Sequence, residues 1–226
     1  MKYLIVNSDE FGANRGINCG IFEAHHHGIL TSASLMVNAP GSEEAAHMSR
    51  AMPELSLGLH AALRQDVIRR GTVQDLRNEL LGQLTQFENL TGQLPTHLDS
   101  VHNAHFHPRA LPVFTEIARE NGLPLREHSS IRHFARFYGQ SRGQTNLERV
   151  SVQTLCSILK NSIAFGVTEL SCHPGYIDAE FCNAYTIERE AELRTLCDPA
   201  VRETILDESI HLISYLELRR FARVPA

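Results

Sequence analysis

Residues 96–108 read "THLDSVHNAHFHP", which places four histidines and one aspartate within thirteen positions. No helix or strand needs that many imidazoles for packing, so metal ligation is the first chemistry to consider. Other candidates lie at a distance: the adjacent acids Asp9 and Glu10 in "LIVNSDEFG", His60 in "LSLGLH", Arg126 and Glu127 in "LPLRE", and His173 in "VTELSCHP". One carboxylate and two or more imidazoles suit a divalent metal with open positions. Such a metal lowers the pKa of water and polarises a carbonyl. A second carboxylate can act as base, and a further histidine can protonate a leaving group. That is equipment for metal-assisted hydrolysis of an amide or ester.

These residues need elements to carry them. "KYLIVNS" is a short apolar run with the character of a buried strand. The helix that follows carries Ile17, Ile21 and Ala24 at helical spacing and stops at Gly28. "ILTSASLMVN" is a second strand, "GSEEAAHMSRAM" a helix with Ser42 as its N-cap, and "LSLGLH" a third strand. Residues 74–92 present Leu76, Leu80, Leu84 and Phe87 on one helical side, and residues 108–121 run from a Pro to Gly122. "PTHLDS", "LPLRE", "VTELSCHP" and "IHLI" complete the strands; residues 151–165, "TIEREAELRTL" and "PAVRETIL" complete the helices. Alternation of strand and helix implies a parallel sheet, and about seven such units point to a barrel or barrel-like sheet. Chemistry in such folds sits at the C-terminal strand ends. Asp9 and Glu10, His60, Asp99 with His102 and His105, Arg126, and His173 all fall there.

The chain has 226 residues, enough for one α/β domain over 1–226 with no linker or repeat. A net charge of −5 lacks the basic footprint of a nucleic-acid binder. No apolar run nears the roughly 20 residues that cross a membrane. The N-terminus does not read as a signal peptide, and the five scattered cysteines read as reduced thiols, so a cytoplasmic protein is expected.

In order along the chain, "LIVNSDEFG", "GILTSASLMVN", "LGLH", "PTHLDS", "LPLR" and "CHP" resemble the YdjC/ChbG/HpnK carbohydrate deacetylases, from residue 3 to about 178. The resemblance implies an α/β fold, a distorted TIM-like (β/α) barrel with a mostly parallel sheet. It implies removal of N-acetyl groups from amino sugars or acetylated chitooligosaccharides with a divalent metal, Mg or Zn, and a homodimer. By position, Asp9 would be the general base, Glu10 a metal ligand where the family usually has Asp, and His60 a metal ligand. His173 would be the general acid and Arg126 a substrate-site residue. The departure is at residues 101–105, where the family usually reads D-S-H-x-H-x-H. Val101 stands where the ligand His is expected, only His105 keeps its slot, and His102 is one residue off register. Since a one-residue shift turns a strand side chain to the opposite face, His102 can serve only if the backbone bends after Ser100. A metal could thus fall to His102 or to His105. Two other outcomes stay open: a non-catalytic sugar-binding relative with a degraded metal site, and a metal hydrolase of another amide or ester.

Other histidines and acids have plainer readings. His97 lies inside its strand and is structural; His107 opens a helix. His25, His26 and His27 close a helix, where positive charge suits the dipole. The carboxylates at 188–192 read as a solvated helix face. Cys172 beside His173 would point to the opposite face of the strand, away from any nucleophile pairing.

Overall fold

The computed structural model describes residues 1–177 and 184–221; Cys182 and the C-terminal tail lie outside them. The strands are β1 (Lys2–Phe11), β2 (Ser32–Leu35), β3 (Ser56–Ala61), β4 (Leu98–Ser100), β5 (Arg132–Phe134), β6 (Gln140–Ser141), β7 (Gln144–Thr145), β8 (Gly166–Cys172) and β9 (Ile210–Leu212). The helices are α1 (Arg15–His26), α2 (Ser42–Ser49), α3 (Gln65–Arg70), α4 (Val73–Thr91), α5 (Leu111–Glu120), α6 (Val152–Ser162), α7 (Ile187–Leu196), α8 (Pro199–Asp207) and α9 (Tyr215–Phe221). Seven strands form a curled parallel half-barrel in the order β4-β3-β2-β1-β8-β5, and β9 also pairs with β1. One edge of β1 changes partner midway: Lys2–Leu4 pair with β9, and Asn7–Phe11 with β2. Strand "LPLRE" shrinks to a single bridge between Leu98 and Leu125, and β6 and β7 make a small separate hairpin.

The period-2 alternation of strand side chains sorts the chemistry into two faces. Leu4, Val6, Leu35, Leu57, Leu59, Leu98 and Leu170 face the surrounding helices in one large core. Cys172 joins that core, and its burial pushes the thiol pKa well above the ordinary value. The opposite face is apolar only at its base, where Ile5, Ile131, Ile213 and Tyr215 pack together. Above that layer it turns polar, with Asn7, Ser34, His97, Asp99 and Glu169 all buried.

Helix ends follow local chemistry. Asn14 caps α1 by accepting from the Ile17 N–H at 2.8 Å, and Thr72 with Asp75 forms a capping box on α4. His25 and His26 close α1 as expected, their Nδ1 atoms 2.9 Å from the Leu30 and Phe22 carbonyl oxygens. Among the described residues no helix is long and apolar enough to cross a membrane.

His97 is the keystone of the polar layer. Its ring stacks on Tyr215 at 3.9 Å and meets Ser34 Oγ through Nε2 at 3.0 Å. Gly58 is required beneath it: a Cβ there would lie 2.3 Å from the imidazole. Burial holds the His97 pKa down to about 4, against an ordinary 6.5. Below 6.5 the unfolded chain therefore binds a proton that the folded chain refuses, and stability present above 6.5 is lost down to about pH 4. At ~1.4 kcal/mol per unit this amounts to about 3 kcal/mol. Urea unfolding at pH 7.5 and 5.0 checks it: His97→Gln should flatten the pH dependence by about one proton, and an unchanged slope contradicts this account.

Candidate active site

Adjacent residues of a flat strand face opposite ways, yet Asp9 and Glu10 line the same cavity. The cause is a break in the β1–β2 register between Ser8 and Phe11. Glu10 there takes the left-handed conformation, φ +66°. Bulges of this kind re-aim side chains next to sites, and the strain of a non-glycine residue at positive φ is held by surrounding structure.

Asp9 is gripped from below. Arg126 donates to both of its oxygens, at 2.8 and 2.7 Å, and Asn7 donates to Oδ1 at 3.0 Å. The same guanidinium reaches Glu169 at 2.6 Å and Asp99 at 2.7 Å, so one buried cation serves three buried carboxylates. Burial opposes ionisation of Asp9, but Arg126 and then His60 outweigh it and hold its carboxyl far below the usual range. Asp99 is lowered in the same way, against burial, by Arg126 and His60. Asp99 Oδ1 in turn meets His60 Nδ1 at 2.8 Å, and Oδ2 accepts from Ser34 Oγ at 2.7 Å. Burial lowers the His60 pKa, yet Asp99 overcomes it and the net shift is upward.

The cavity above these groups is about 280 Å³, at the lower end of small-molecule sites. Asp9, Glu10, His60, His102, Arg126 and His173 all lie on its wall, drawn from five strand ends or the turns after them. The backbone does bend after Ser100: Val101–Phe106 form a 3₁₀ turn with His102 and Asn103 left-handed, at φ 51° and 54°. His102 thereby reaches the cavity and is exposed. His105 is not on that wall. It is buried beside Phe114, its Nδ1 is 2.6 Å from Ser100 Oγ, and its Nε2 has no hydrogen-bond partner among the described residues. Arg126 spends its donors on carboxylates instead of turning them outward.

His173 follows the end of β8, with Nε2 3.9 Å from Asp9 Oδ2. Burial pulls its pKa down, while Asp9 and Glu10 pull the other way. Its neighbours overturn one sequence expectation. Glu188, Arg189 and Glu192 do not form a solvated face: they are 1%, 3% and 0% exposed. Each has a hydrogen-bonding partner. Glu188 accepts from Thr145 Oγ1 at 2.6 Å, Arg189 pairs with Glu10, and Glu192 accepts the His173 backbone N–H at 2.5 Å and the Tyr185 hydroxyl. Burial pushes the Glu192 carboxyl up to about 8, against the two hydrogen bonds it accepts, which pull the other way.

The sequence reading also passed over His133, whose Nδ1 lies 2.7 Å from Glu127 Oε1 and whose Nε2 lies 3.1 Å from Ser171 Oγ. Strand β5 carries it, and "RHF" is too short to show a periodicity. Tyr138 and Tyr185, stacked at 4.6 Å, line the cavity beside it.

The donor set fits a divalent cation. Asp9, His60 and Asp99 offer ligand atoms within 4.8 Å of one another. Asp99 on His60 Nδ1 reproduces the carboxylate–histidine pairing that orients a metal-bound ring and leaves Nε2 for the ion. Asp9 and Asp99 also pair with Arg126, while Glu10, outside this cluster, pairs with Arg189.

The chain is 34% identical to a carbohydrate deacetylase of Geobacillus stearothermophilus, over 96% of its own length and 98% of the relative's. That alignment runs over 249 positions, so the relative carries residues that this chain of 226 lacks. A chitooligosaccharide deacetylase of Klebsiella pneumoniae is 31% identical over 96% of this chain and 99% of that one. A solved structure from Enterococcus faecalis V583, described as a candidate cellobiose-phosphate cleavage protein, superposes with a TM-score of 0.78 at 25% identity, over 96% and 98% of the chains. A family 4 carbohydrate esterase from Streptomyces lividans shares the fold, with a TM-score of 0.59 at 10% identity over 93% and 91%. Residues 3–207 match the model of the YdjC-like protein family, and the chain belongs to that family.

Proposed function

We propose that this protein is a metal-dependent carbohydrate N-deacetylase, which hydrolyses the N-acetyl group of an amino sugar or acetylated chitooligosaccharide. The observation that carries the reading is the Asp9 carboxylate, fixed by Arg126 and 3.9 Å from His173 Nε2, on the wall of a cavity that also holds Glu10 and His60. Family membership and the names of the relatives support the acetyl-sugar substrate.

Glu10 and His60 would hold the metal, Mg or Zn, with His102 the better placed of the two turn histidines. When bound, the ion supplies polarisation of the acetyl carbonyl and a lowered pKa for water. Asp9 takes the proton of the attacking water. His173 then gives a proton to the departing sugar amine as the C–N bond breaks, and acetate leaves. The short path from Asp9 to His173 lets the captured proton restore the acid for the next turnover.

The test is acetate release from N-acetylglucosamine and N,N'-diacetylchitobiose by protein stripped with a chelator and reloaded with Zn or Mg. Activity should fall at least 100-fold on stripping and return with one of the ions, and His173→Ala should stay inactive. A protein that binds no divalent ion would instead be a repurposed sugar binder, the reading that Val101 motivates. Ion binding without acetate release from any N-acetyl sugar would point to another amide or ester.

A further inference from the structure

We propose that Glu192 is a positioning residue for His173, acting from helix α7 together with Tyr185. The inference rests on the acid role given to His173 above and adds how that ring is held. A histidine at a catalytic site is commonly oriented by a carboxylate or carbonyl on its second ring nitrogen. His173 lacks this: its Nδ1 is buried and without a hydrogen-bond partner among the described residues. Its ring must be oriented through its backbone and its neighbours.

Strand β8 ends at Cys172, so the His173 peptide has left the ladder that would otherwise bind it. Helix α7 takes over both polar groups. Glu192 Oε2 accepts the His173 N–H at 2.5 Å, and Arg189, one turn earlier, donates to the His173 carbonyl at 3.4 Å. The other Glu192 oxygen accepts the Tyr185 hydroxyl, and that hydroxyl oxygen also accepts the Gly139 N–H at 2.6 Å. Tyr185 and Tyr138, stacked on each other, both stand edge-on to the imidazole, with centroids 5.7 and 5.4 Å away. Glu192 thus sets the backbone of His173 and, through Tyr185, the aromatic wall against its ring. A carboxyl with no exposed surface, both oxygens accepting hydrogen bonds, is a costly choice for a merely space-filling position.

The test compares Glu192→Leu with Glu192→Gln, which keeps an acceptor oxygen of the same reach. Glu192→Leu should cut kcat on an N-acetyl sugar by about 10- to 100-fold, the cost of a misplaced catalytic group, with KM changed less than threefold. Glu192→Gln should recover most of that loss. In parallel, the imidazole carbon–proton NMR signal of His173 should shift or broaden in Glu192→Leu and return towards wild type in Glu192→Gln. This arm needs no turnover, so it separates the positioning claim from the deacetylase claim: inactive wild-type protein would sink only the latter. Should Glu192→Leu fail to fold, Tyr185→Phe removes one anchor of the same carboxyl and should disturb the His173 signal on its own. A His173 signal and kcat unmoved in Glu192→Leu, or a Gln variant as impaired as Leu, overturns the proposal.

Discussion

Asp9→Asn should lower kcat for acetate release by about 1000-fold, within the span of 10²–10⁴ for loss of a positioned general base. The substitution preserves shape but removes the carboxylate proposed to take the water proton, 3.9 Å from His173. It also sets an amide N–H against a guanidinium that donates to both Asp9 oxygens. Arg126 keeps Asp99 and Glu169, so the fold should survive and KM should move only a few-fold. Circular dichroism and steady-state acetate release read the two effects separately. Near wild-type kcat in this variant would remove Asp9 from the chemistry.

Arg126→Met should cost about 3–5 kcal/mol of stability at pH 7.5, the usual price of leaving buried charges uncompensated. Asp9, Asp99 and Glu169 would then share a buried layer without the guanidinium that joins them. The pH dependence has a defined sign. In the wild type Asp9 and Asp99 have pKa values below 3.8, so their contribution is present above that pH and lost beneath it. Without Arg126, burial and mutual repulsion raise these carboxyls, and the folded variant gains protons ahead of the unfolded chain. The stability gap between variant and wild type should therefore narrow from pH 7.5 to pH 5.0 in urea titrations. A gap that is constant or widens would show that Arg126 does not neutralise this layer.

Much of this arrangement was legible beforehand because parallel strands announce themselves as unbroken apolar runs and the polar residues begin where those runs stop. "KYLIVNS" and "VTELSC" followed by acids or His gave the strand ends that carry Asp9, Glu10 and His173. Two kinds of feature were hidden. Backbone breaks leave no periodic signal: nothing in "NSDEFG" shows that Glu10 adopts φ +66°, which brings both acids to one cavity. Buried charge is the other. Helix α7 has hardly any apolar stripe, because it buries Glu188, Arg189 and Glu192 alongside Leu193 and Leu196. One clue was available, since Glu188 and Glu192 stand four apart on one helical face, a like-charge pair that a solvated helix disfavours. His102 and His105 split for a local reason: two left-handed residues turn the chain so that one reaches the cavity and the other is tied to Ser100.

The left-handed backbone at Glu10 sets a conflict between robustness and chemistry. Such a conformation costs a side chain on the order of 1–2 kcal/mol, a penalty that glycine escapes and asparagine partly escapes. Either replacement would relax the strand and erase the carboxylate that pairs with Arg189. With Glu10 holding the metal as proposed, heat tolerance and hydrolysis would make opposing demands on this one position, and a search that rewards only the first would erode the second.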